Sequence, residues 1–200
     1  MSPVDAPRFE FRVWSPSEET RSRLRSRGRH TGRSVARDCY VLAFQPGVNA
    51  KIRGKDLQIK RLIDRRAGLE RWRPEWESRA PFTPEVMIRL FGELGLEALS
   101  PTGSRSISVD QLVAELHRQD HLDAAWVTKE REFLEVGDVS AEVTELTIDA
   151  HSLRLSTMAI EGTDPDAVIE ERMQLAMEGM ENIAVHRAVR EAVRGRGHGD

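Results

Sequence analysis

The sequence predicts an α+β protein in which an eight-stranded antiparallel β-barrel, a tunnel with a charged interior, is flanked by helices. About eight short segments alternate apolar and polar residues as strands do, and helical periodicity is gathered at a few places. Nearly every alternating segment has one apolar face and one charged face. Because closure removes exposed sheet edges and helices need an apolar surface to cover, we expect helices outside and charges inside.

The composition is that of a globular protein. The 200 residues, 39% apolar and 32% charged, suffice for a single domain over residues 1–200 with a buried core. No run approaches about eighteen apolar residues and no signal-peptide pattern begins the chain, so we expect a soluble cytoplasmic protein with no membrane partner. Cys39 is the only cysteine, which excludes an internal disulfide and a thiolate metal cluster. Any metal must be bound through oxygen or imidazole.

Charge is unevenly distributed along the chain. The net charge of −3 argues against a general nucleic-acid-binding protein, yet residues 21–37 contain seven arginines and no acidic residue. An RNA contact is one interpretation of this segment, and a solvated helix face leading into a mobile loop is the one we favour. Only four of the 30 basic residues are lysines: Lys51, Lys55, Lys60 and Lys129. A lysine is a compact point charge, which suits a site where several cations surround one anion.

The first predicted elements are a strand and a helix. Residues 8–14 (RFEFRVW) alternate and predict the strand. Ser15 and Glu18 form a capping-box pattern, with a proline at the first helical position. This pattern predicts a helix over about 16–27 that stops at Gly28.

Three further extended segments follow. Residues 38–46 and 68–74 predict short strands, and residues 51–60 (KIRGKDLQIK) between them predict a hairpin that turns near Gly54. We expect one face of the hairpin to lie under helices and the other to face the tunnel. The apolar face comprises Ile52, Leu57 and Ile59, and the charged face comprises Lys51, Arg53 and Lys60.

A helical insert is predicted over about 83–118. Thr83 precedes a proline and a run of apolar residues at helical spacing. Ser108 and Gln111 form a second capping box before another helix. Residues 100–106 contain glycine and serine and predict a break between the two helices.

Three strands and two helices follow the insert. The strands cover 124–136, 140–149 and 152–162, and the short turns between them predict an antiparallel meander. Asp164 is the predicted N-cap of the first closing helix, and Asn182 that of the second.

The charged faces of these strands would meet inside the barrel. Enclosed charges without partners are heavily penalised. They become reasonable if the tunnel holds a polyanion and a divalent cation, since Lys and Arg bind phosphate oxygens and glutamates coordinate hard cations such as Mg²⁺.

The order of several short runs resembles the CYTH domain of the triphosphate tunnel metalloenzyme family. The runs are EFRVW, NAKIRGKDLQIKRL, GLERWRP, VTKERE, AEVTEL and TMAIEG, and the likeness covers roughly residues 8–190. The family implies an eight-stranded tunnel that binds triphosphate-containing small molecules with Mg²⁺ or Mn²⁺, for hydrolysis or, in one branch, for cyclising ATP. Beyond this core, a tail of about 194–200 is expected to be flexible.

The resemblance also implies roles for single residues. Glu10 and Arg12 match the second glutamate and the lysine of the family's Glu-x-Glu-x-Lys signature. The candidate catalytic residues are Glu10 and Lys60, and the candidate metal ligands are Glu10, Glu142 and Glu161. The candidate phosphate-binding residues are Arg12, Lys51, Arg53, Lys60, Lys129 and Arg131.

Two positions depart from the family pattern. Arg8 stands where the signature has its first glutamate, and Ala159 stands two residues before Glu161, where many members have another acid. Fewer carboxylates imply weaker metal binding or a site for one metal.

The expected function is that of a divalent-metal-dependent phosphohydrolase, a triphosphatase, acting on tripolyphosphate, a nucleoside triphosphate or another organic triphosphate. The cations would position the triphosphate, and the metal would offset the charge that develops when water attacks in line. Two alternatives stay open: a tunnel that binds nucleotide or polyphosphate without turnover, and a class IV-type adenylate cyclase. The organic part of the substrate and the oligomeric state, including a homodimer, are also open.

Overall fold

Eight antiparallel strands close into one barrel. The computed structural model describes residues 6–42, 45–96, 105–118 and 123–195. The strands are β1 (Arg8–Trp14), β2 (Arg29–Val41), β3 (Val48–Arg53), β4 (Asp56–Arg66), β5 (Leu69–Arg79), β6 (Ala124–Val136), β7 (Val139–Ile148) and β8 (Leu153–Gly162). Around the barrel they follow the order β1-β5-β4-β3-β2-β6-β7-β8, and β8 pairs with β1. The predicted fold class is therefore confirmed.

Five α-helices accompany the barrel in the described residues, with one short 3-10 helix (Asp149–His151) between β7 and β8. None of these helices combines the length and the apolar composition that crossing a bilayer requires. The helices are α1 (Glu18–Arg27), α2 (Pro84–Glu93), α3 (Val109–Leu116), α4 (Pro165–Gln174) and α5 (Val185–Arg194).

Helices α2 and α3 cover the outside of the β3–β4 hairpin. Ile52, Leu57 and Ile59 are at most 1% exposed and pack in one cluster with Leu90 of α2 and Leu112 of α3. Fully burying such a side chain contributes about 1.5–3 kcal/mol. The prediction that the apolar face of this hairpin points outward under helices is confirmed.

Helices α1 and α4 cover the opposite side of the barrel. Phe9, Phe11 and Val13 project outward from β1 and pack with Leu24 of α1 and Val168 of α4. The alternate residues of β1 therefore face the interior.

Helix α5 differs from the other four because it packs against inward-facing side chains. Val189 is fully buried and joins a cluster with Tyr40 of β2, Val127 of β6 and Leu146 and Ile148 of β7. Val127 lies opposite Ile148, and Lys129 lies opposite Leu146, so these apolar residues continue the interior face that carries Lys129. Helix α5 thus fills one end of the barrel, and the expectation that helices cover only the outside is wrong for this element.

Asn182 does not cap α5, as the sequence suggested, because its side chain bonds to the strands. The N-cap is Ala184. The Asn182 side-chain amide donates to the carbonyl oxygens of Glu10 and Gly68, both at 2.9 Å, and its oxygen accepts from the Arg12 N–H at 2.9 Å. These bonds fasten the segment that leads α5 into the barrel.

The predicted start of α1 is also wrong. The N-cap is Ser17, whose hydroxyl oxygen accepts from the Thr20 N–H at 3.1 Å, and α1 begins at Glu18. Ser15 instead turns the chain with a φ of 49°, and its N–H donates to the carbonyl oxygen of Ser156. A tertiary bond to β8 therefore replaces the local capping box.

Strand β2 is longer than predicted. It begins at Arg29 rather than near residue 38, because its N-terminal half pairs with β6 from Arg29 opposite Glu135 onward. The mobile loop expected after α1 is therefore a paired strand. Strand β5 likewise runs to Arg79, beyond the predicted 68–74.

Two further strand ends differ from the prediction, because β2 ends at Val41 rather than 46 and β4 runs to Arg66 rather than 60, but three predicted helix caps agree. The predicted caps Thr83, Ser108 and Asp164 are present, with the full capping box between Ser108 and Gln111. Part of the predicted break at 100–106, up to residue 104, lies outside the described residues. The same holds for residues 196–200 of the predicted tail.

Candidate active site

The tunnel brings all nine candidate residues together. Five of the six cations form a basic wall on β3, β4 and β6, and three acids form an acidic wall on β1, β7 and β8, with Arg12 among the acids. The basic wall comprises Lys51, Arg53, Lys60, Lys129 and Arg131, and the acidic wall comprises Glu10, Glu142 and Glu161. The strands of the acidic wall, β7, β8 and β1, are neighbours in the barrel. The strands of the basic wall are neighbours once β2, which lies between β3 and β6, is included.

Asp38 on β2 organises two cations of the basic wall. Its fully buried carboxylate accepts from Arg53 through Nε at 2.7 Å and Nη2 at 2.9 Å, and from Lys129 Nζ at 2.9 Å. Lys129 also bonds to the Tyr40 hydroxyl. Burial would raise the pKa of Asp38, but the bonds from Arg53 and the charge of Lys129 hold that pKa well below its usual range. Arg53 and Lys129 are therefore fixed in place before any anion enters.

The other three cations of the basic wall have no such partner. Among the described residues, no acidic side chain lies within ion-pair distance of Lys51, Lys60 or Arg131. Burial, with the charges of Arg53 and Lys129, lowers the pKa of Lys51 to about 7. A phosphate group placed among these cations would supply the missing negative charge.

Buried polar atoms on and beside these cations are also without partners. The Arg131 Nε, the Ser34 hydroxyl oxygen and the Asn49 amide oxygen are buried and make no hydrogen bond in the described part of the chain. Ser34 lies opposite Arg131, and Asn49 lies opposite Lys60. Because buried polar groups are almost always satisfied, these atoms are available to hydrogen-bond with water or a ligand.

On the acidic wall, Arg12 bridges two of the carboxylates. Its Nε donates to Glu10 Oε1 and its Nη2 to Glu142 Oε1, each at 2.7 Å. Burial opposes the charge of Arg12, but Glu10 and Glu142 together raise its pKa. Burial likewise opposes the charge of Glu142, and Arg12 lowers its pKa. Arg12, a predicted phosphate-binding residue, is therefore hydrogen-bonded to two predicted metal ligands, Glu10 and Glu142.

Glu161 lies at the more open end of the acidic wall. It faces Glu10 directly across the β1–β8 pair, and its carboxylate is 3.0 Å from Arg8 Nη1. Burial and the nearby charge of Glu10 raise the pKa of Glu161. A cavity of about 60 Å³ adjoins this residue and is lined by Arg12, Glu142 and the methyl group of Ala159.

The donor set of the acidic wall fits a hard divalent cation, but the carboxylates are not arranged as a finished site. All three ligands would be carboxylate oxygens on neighbouring strands, the chemistry that Mg²⁺ and Mn²⁺ prefer. In the described residues, no three His, Cys, Asp or Glu side chains are grouped ready to hold a metal. The guanidinium of Arg12 bonds to one oxygen each of Glu10 and Glu142, so a metal bound through those two oxygens needs Arg12 to move.

The floor of the tunnel, next to α5, contains residues that sequence reasoning did not assign to the site. Arg187 of α5 pairs with Glu70 at 3.1 Å, and Glu70 lies opposite Glu10. His186 meets the Trp72 ring edge-on at 5.5 Å, and burial lowers its pKa to about 3. The imidazole is therefore neutral at physiological pH.

Asp38 and Tyr40 are the most important residues that the sequence analysis missed. Both lie on the charged face of β2, two positions apart, in a segment predicted as strand. Their positions on either side of Cys39 could have shown that both face the same way as the other charged residues. The residues next to Asp38 in the sequence, however, do not indicate that it pairs with Arg53 and Lys129.

The arginines of residues 21–37 lie among acidic side chains and do not form a purely basic surface. Each of the seven pairs with an acidic side chain. A cavity of about 390 Å³ lies against this segment, and Glu130, Glu132 and Glu145 line it alongside arginines that include Arg131. The surface is of mixed charge, which does not favour a nucleic acid.

Comparison with known proteins supports the fold. No family model and no curated protein sequence matches this chain. The PH1012 protein of Pyrococcus horikoshii OT3 is similar in structure, with 15% identity over 90% of this chain and 97% of that one and a TM-score of 0.52. A conserved hypothetical protein of Pyrococcus furiosus gives 16% identity, 90% and 98% coverage and a TM-score of 0.53.

A third similar structure has a described activity. HpAC1 of Hippeastrum, a candidate adenylyl cyclase reported to have a dominant triphosphatase activity, shares 14% identity over 93% of this chain and 96% of its own, with a TM-score of 0.50. At such identities the likeness establishes a shared fold. Together with the closed barrel, it confirms the tunnel fold that the CYTH resemblance implied.

Proposed function

We propose that the tunnel binds the triphosphate group of a small molecule and hydrolyses its terminal phosphoanhydride bond. The observation that carries this proposal is the set of three unpaired cations, Lys51, Lys60 and Arg131, inside a largely enclosed barrel. Cations placed together in such an interior are stabilised by a polyanion. A triphosphate is a compact polyanion that several cations can surround.

The cations divide into two groups with different tasks. Arg53 and Lys129, fixed by Asp38, form a preorganised surface that does not have to reorient when charge develops. Lys51, Lys60 and Arg131 bind the phosphate oxygens directly, and Arg131 can do so through two hydrogen bonds. In this proposal Lys60 stabilises the charge on the phosphoryl group in transfer.

Glu10, Glu142 and Glu161 are the proposed ligands of Mg²⁺ or Mn²⁺. When bound, the metal supplies positive charge that neutralises the phosphate oxygens during phosphoryl transfer. Glu161, whose pKa burial and Glu10 raise, lies at the open end where water enters, and Glu10 beside it is the proposed base that orients the attacking water.

Closure of one end by α5 supports a small substrate that enters from the other end. The triphosphatase activity described for HpAC1 of Hippeastrum, which shares the fold, also supports hydrolysis. A second candidate function is triphosphate binding without turnover. Arg8 and Ala159 favour it, because they replace two acids of the family pattern.

The test is phosphate release from tripolyphosphate and from ATP, with Mg²⁺, Mn²⁺ or EDTA in separate reactions. We expect metal-dependent release in the wild type and a loss of about 10²–10³-fold in Lys60→Gln, as for removal of one preorganised charge from a transition state. Lys55→Gln is the matched control, because Lys55 lies in the β3–β4 turn outside the tunnel, and it should behave as wild type.

The outcomes separate the candidates. Binding of tripolyphosphate without release of phosphate replaces hydrolysis by the binding function, and cyclic AMP from ATP identifies a cyclase. Equal activity in Lys60→Gln and Lys55→Gln contradicts the assignment of the tunnel as the site.

A further inference from the structure

Arg12 occupies the space that a metal would need on the acidic wall. Its guanidinium donates to one oxygen of Glu10 and one of Glu142, both at 2.7 Å, through two nitrogens on the same edge of the group. The Arg12 side chain is only 7% exposed, so water does not weaken these bonds. Two of the three proposed metal ligands are therefore already paired with a cation of the protein itself.

The position of Arg12 is determined by its backbone as well as by its charge. The Arg12 N–H donates to the Asn182 side chain at 2.9 Å, and its carbonyl oxygen accepts from the Ile183 N–H at 3.1 Å. On the other edge of β1, Arg12 lies opposite Ala159. The side chain thus starts from a fixed point directly beside the two acids.

A divalent cation and this guanidinium cannot share the same carboxylate oxygens. Mg²⁺ requires its oxygens at about 2.0–2.1 Å in near-octahedral geometry, whereas Arg12 holds one oxygen of each acid along its edge. The two positive groups also repel each other in an enclosed site. A metal coordinated by the two bonded oxygens, Glu10 Oε1 and Glu142 Oε1, therefore has to displace Arg12.

We infer that Arg12 gates the divalent-cation site, so that Glu10 and Glu142 accept a metal only after the guanidinium has left them. The anion available to take up the guanidinium is the triphosphate, since arginine binds phosphate through paired hydrogen bonds. Metal binding is then coupled to substrate binding. The inference rests on the proposed metal-dependent function, but its test uses Mn²⁺ alone.

The test measures Mn²⁺ binding without any phosphate, by electron paramagnetic resonance of free Mn²⁺ and by calorimetry. We expect weak binding in the wild type and binding at least about tenfold tighter in Arg12→Gln, within the usual range for coupled sites. The double variant Arg12→Gln/Glu142→Gln should lose the gain. Arg53→Gln is the matched control. It also removes an arginine from a tunnel carboxylate, that of Asp38, but it does not free two acids that could bind a metal together.

A variant that keeps the buried charge protects the test against misfolding. Arg12→Lys retains a cation, but an ammonium cannot hold both acids in the planar way that a guanidinium does. We expect its Mn²⁺ affinity to lie between those of the wild type and Arg12→Gln. Fold is checked by circular dichroism and thermal unfolding.

Two results would overturn the inference. One is micromolar Mn²⁺ binding by the wild type that Glu10→Gln abolishes, and the other is an equal gain in Arg12→Gln and Arg53→Gln. Neither depends on turnover. Absence of phosphate release with the expected Mn²⁺ affinities therefore contradicts the proposed hydrolysis alone.

Discussion

At the scale of single residues, the tunnel shows how neighbours decide what a charged side chain does. Lys51 and Lys129 are both lysines on inward-facing strand positions. Lys129 is held by Asp38, whereas Lys51 has no acid partner in the described residues, and burial with neighbouring cations lowers its pKa to about 7. The same residue type is thus a fixed structural cation in one place and, in the other, a titratable group that we propose as the anion receptor.

Binding of a polyanion should therefore add a proton to Lys51. At pH 8 the free site holds Lys51 mostly neutral, and a nearby phosphate raises its pKa and protonates it. Calorimetry of tripolyphosphate binding in two buffers of different ionisation enthalpy measures this uptake. We expect the wild type and Lys55→Met to take up about one proton more than Lys51→Met. Equal uptake by all three proteins would show that Lys51 does not titrate with the anion.

Replacing Asp38 should destabilise the protein in a pH-dependent way. Its lowered pKa stabilises the fold above the unfolded-state pKa of about 3.9, and this contribution is lost as the pH falls below that value. Asp38→Asn should lower the free energy of unfolding at pH 7 by about 3 kcal/mol, the low end for a broken buried ion pair. In urea denaturation the difference from wild type should shrink at pH 3.

Glu161→Gln is the control of opposite sign for Asp38→Asn. The pKa of Glu161 is raised, so its charge opposes folding at neutral pH. Its exposed pair with Arg8 contributes little. The free energy of unfolding at pH 7 should not fall in this variant, and a fall as large as that of Asp38→Asn would contradict the assigned causes of both shifts.

At the scale of elements, α5 is the helix whose placement most affects function. It has a polar face and the apolar residues Val185, Val189 and Val193, as a surface helix would. Instead of covering the outside of a strand, it packs on inward-facing residues and turns a tunnel into a pocket with one open end. Asn182, by bonding to Glu10 and Gly68, determines where it enters.

Val189→Ala should therefore lower the free energy of unfolding as much as a substitution in the hydrophobic core does. Val189 is fully buried, and removing its methyl groups should lower the free energy of unfolding by roughly 2 kcal/mol. Glu191→Ala on the exposed face of α5 is the control and should stay within about 0.5 kcal/mol of wild type. If urea denaturation gives both variants the same stability, α5 is not docked in the barrel.

At the scale of the whole molecule, barrel closure gathers an ordinary charge pattern into the candidate site. Each charged strand face alone would be solvated, and the net charge of −3 gives no sign of an anion-binding protein. Closure in the order β1-β5-β4-β3-β2-β6-β7-β8 gathers the cations on one side of the interior and the acids on the other. A polyanion and a divalent cation can then meet between the two walls.

The sequence by itself determined what depends on neighbouring residues. The two faces of the 51–60 hairpin follow from alternation, and the caps at Thr83 and Ser108 follow from side chains that reach backbone groups three residues away. For the same reason, the nine candidate residues could be assigned to one interior face. The strand register of these residues and their hydrogen-bond partners could not be predicted from the sequence.

Only the tertiary structure decided which charges are paired. Asp38 is separated by 91 residues from Lys129, and Arg12 by 130 residues from Glu142, so no local pattern links them. The length of β2 depends on its pairing with β6, and the position of α5 depends on the closed end of the barrel, which several strands build together. Such contacts are determined by the closing of the whole barrel, because register and burial are properties of the assembled sheet and not of any one segment.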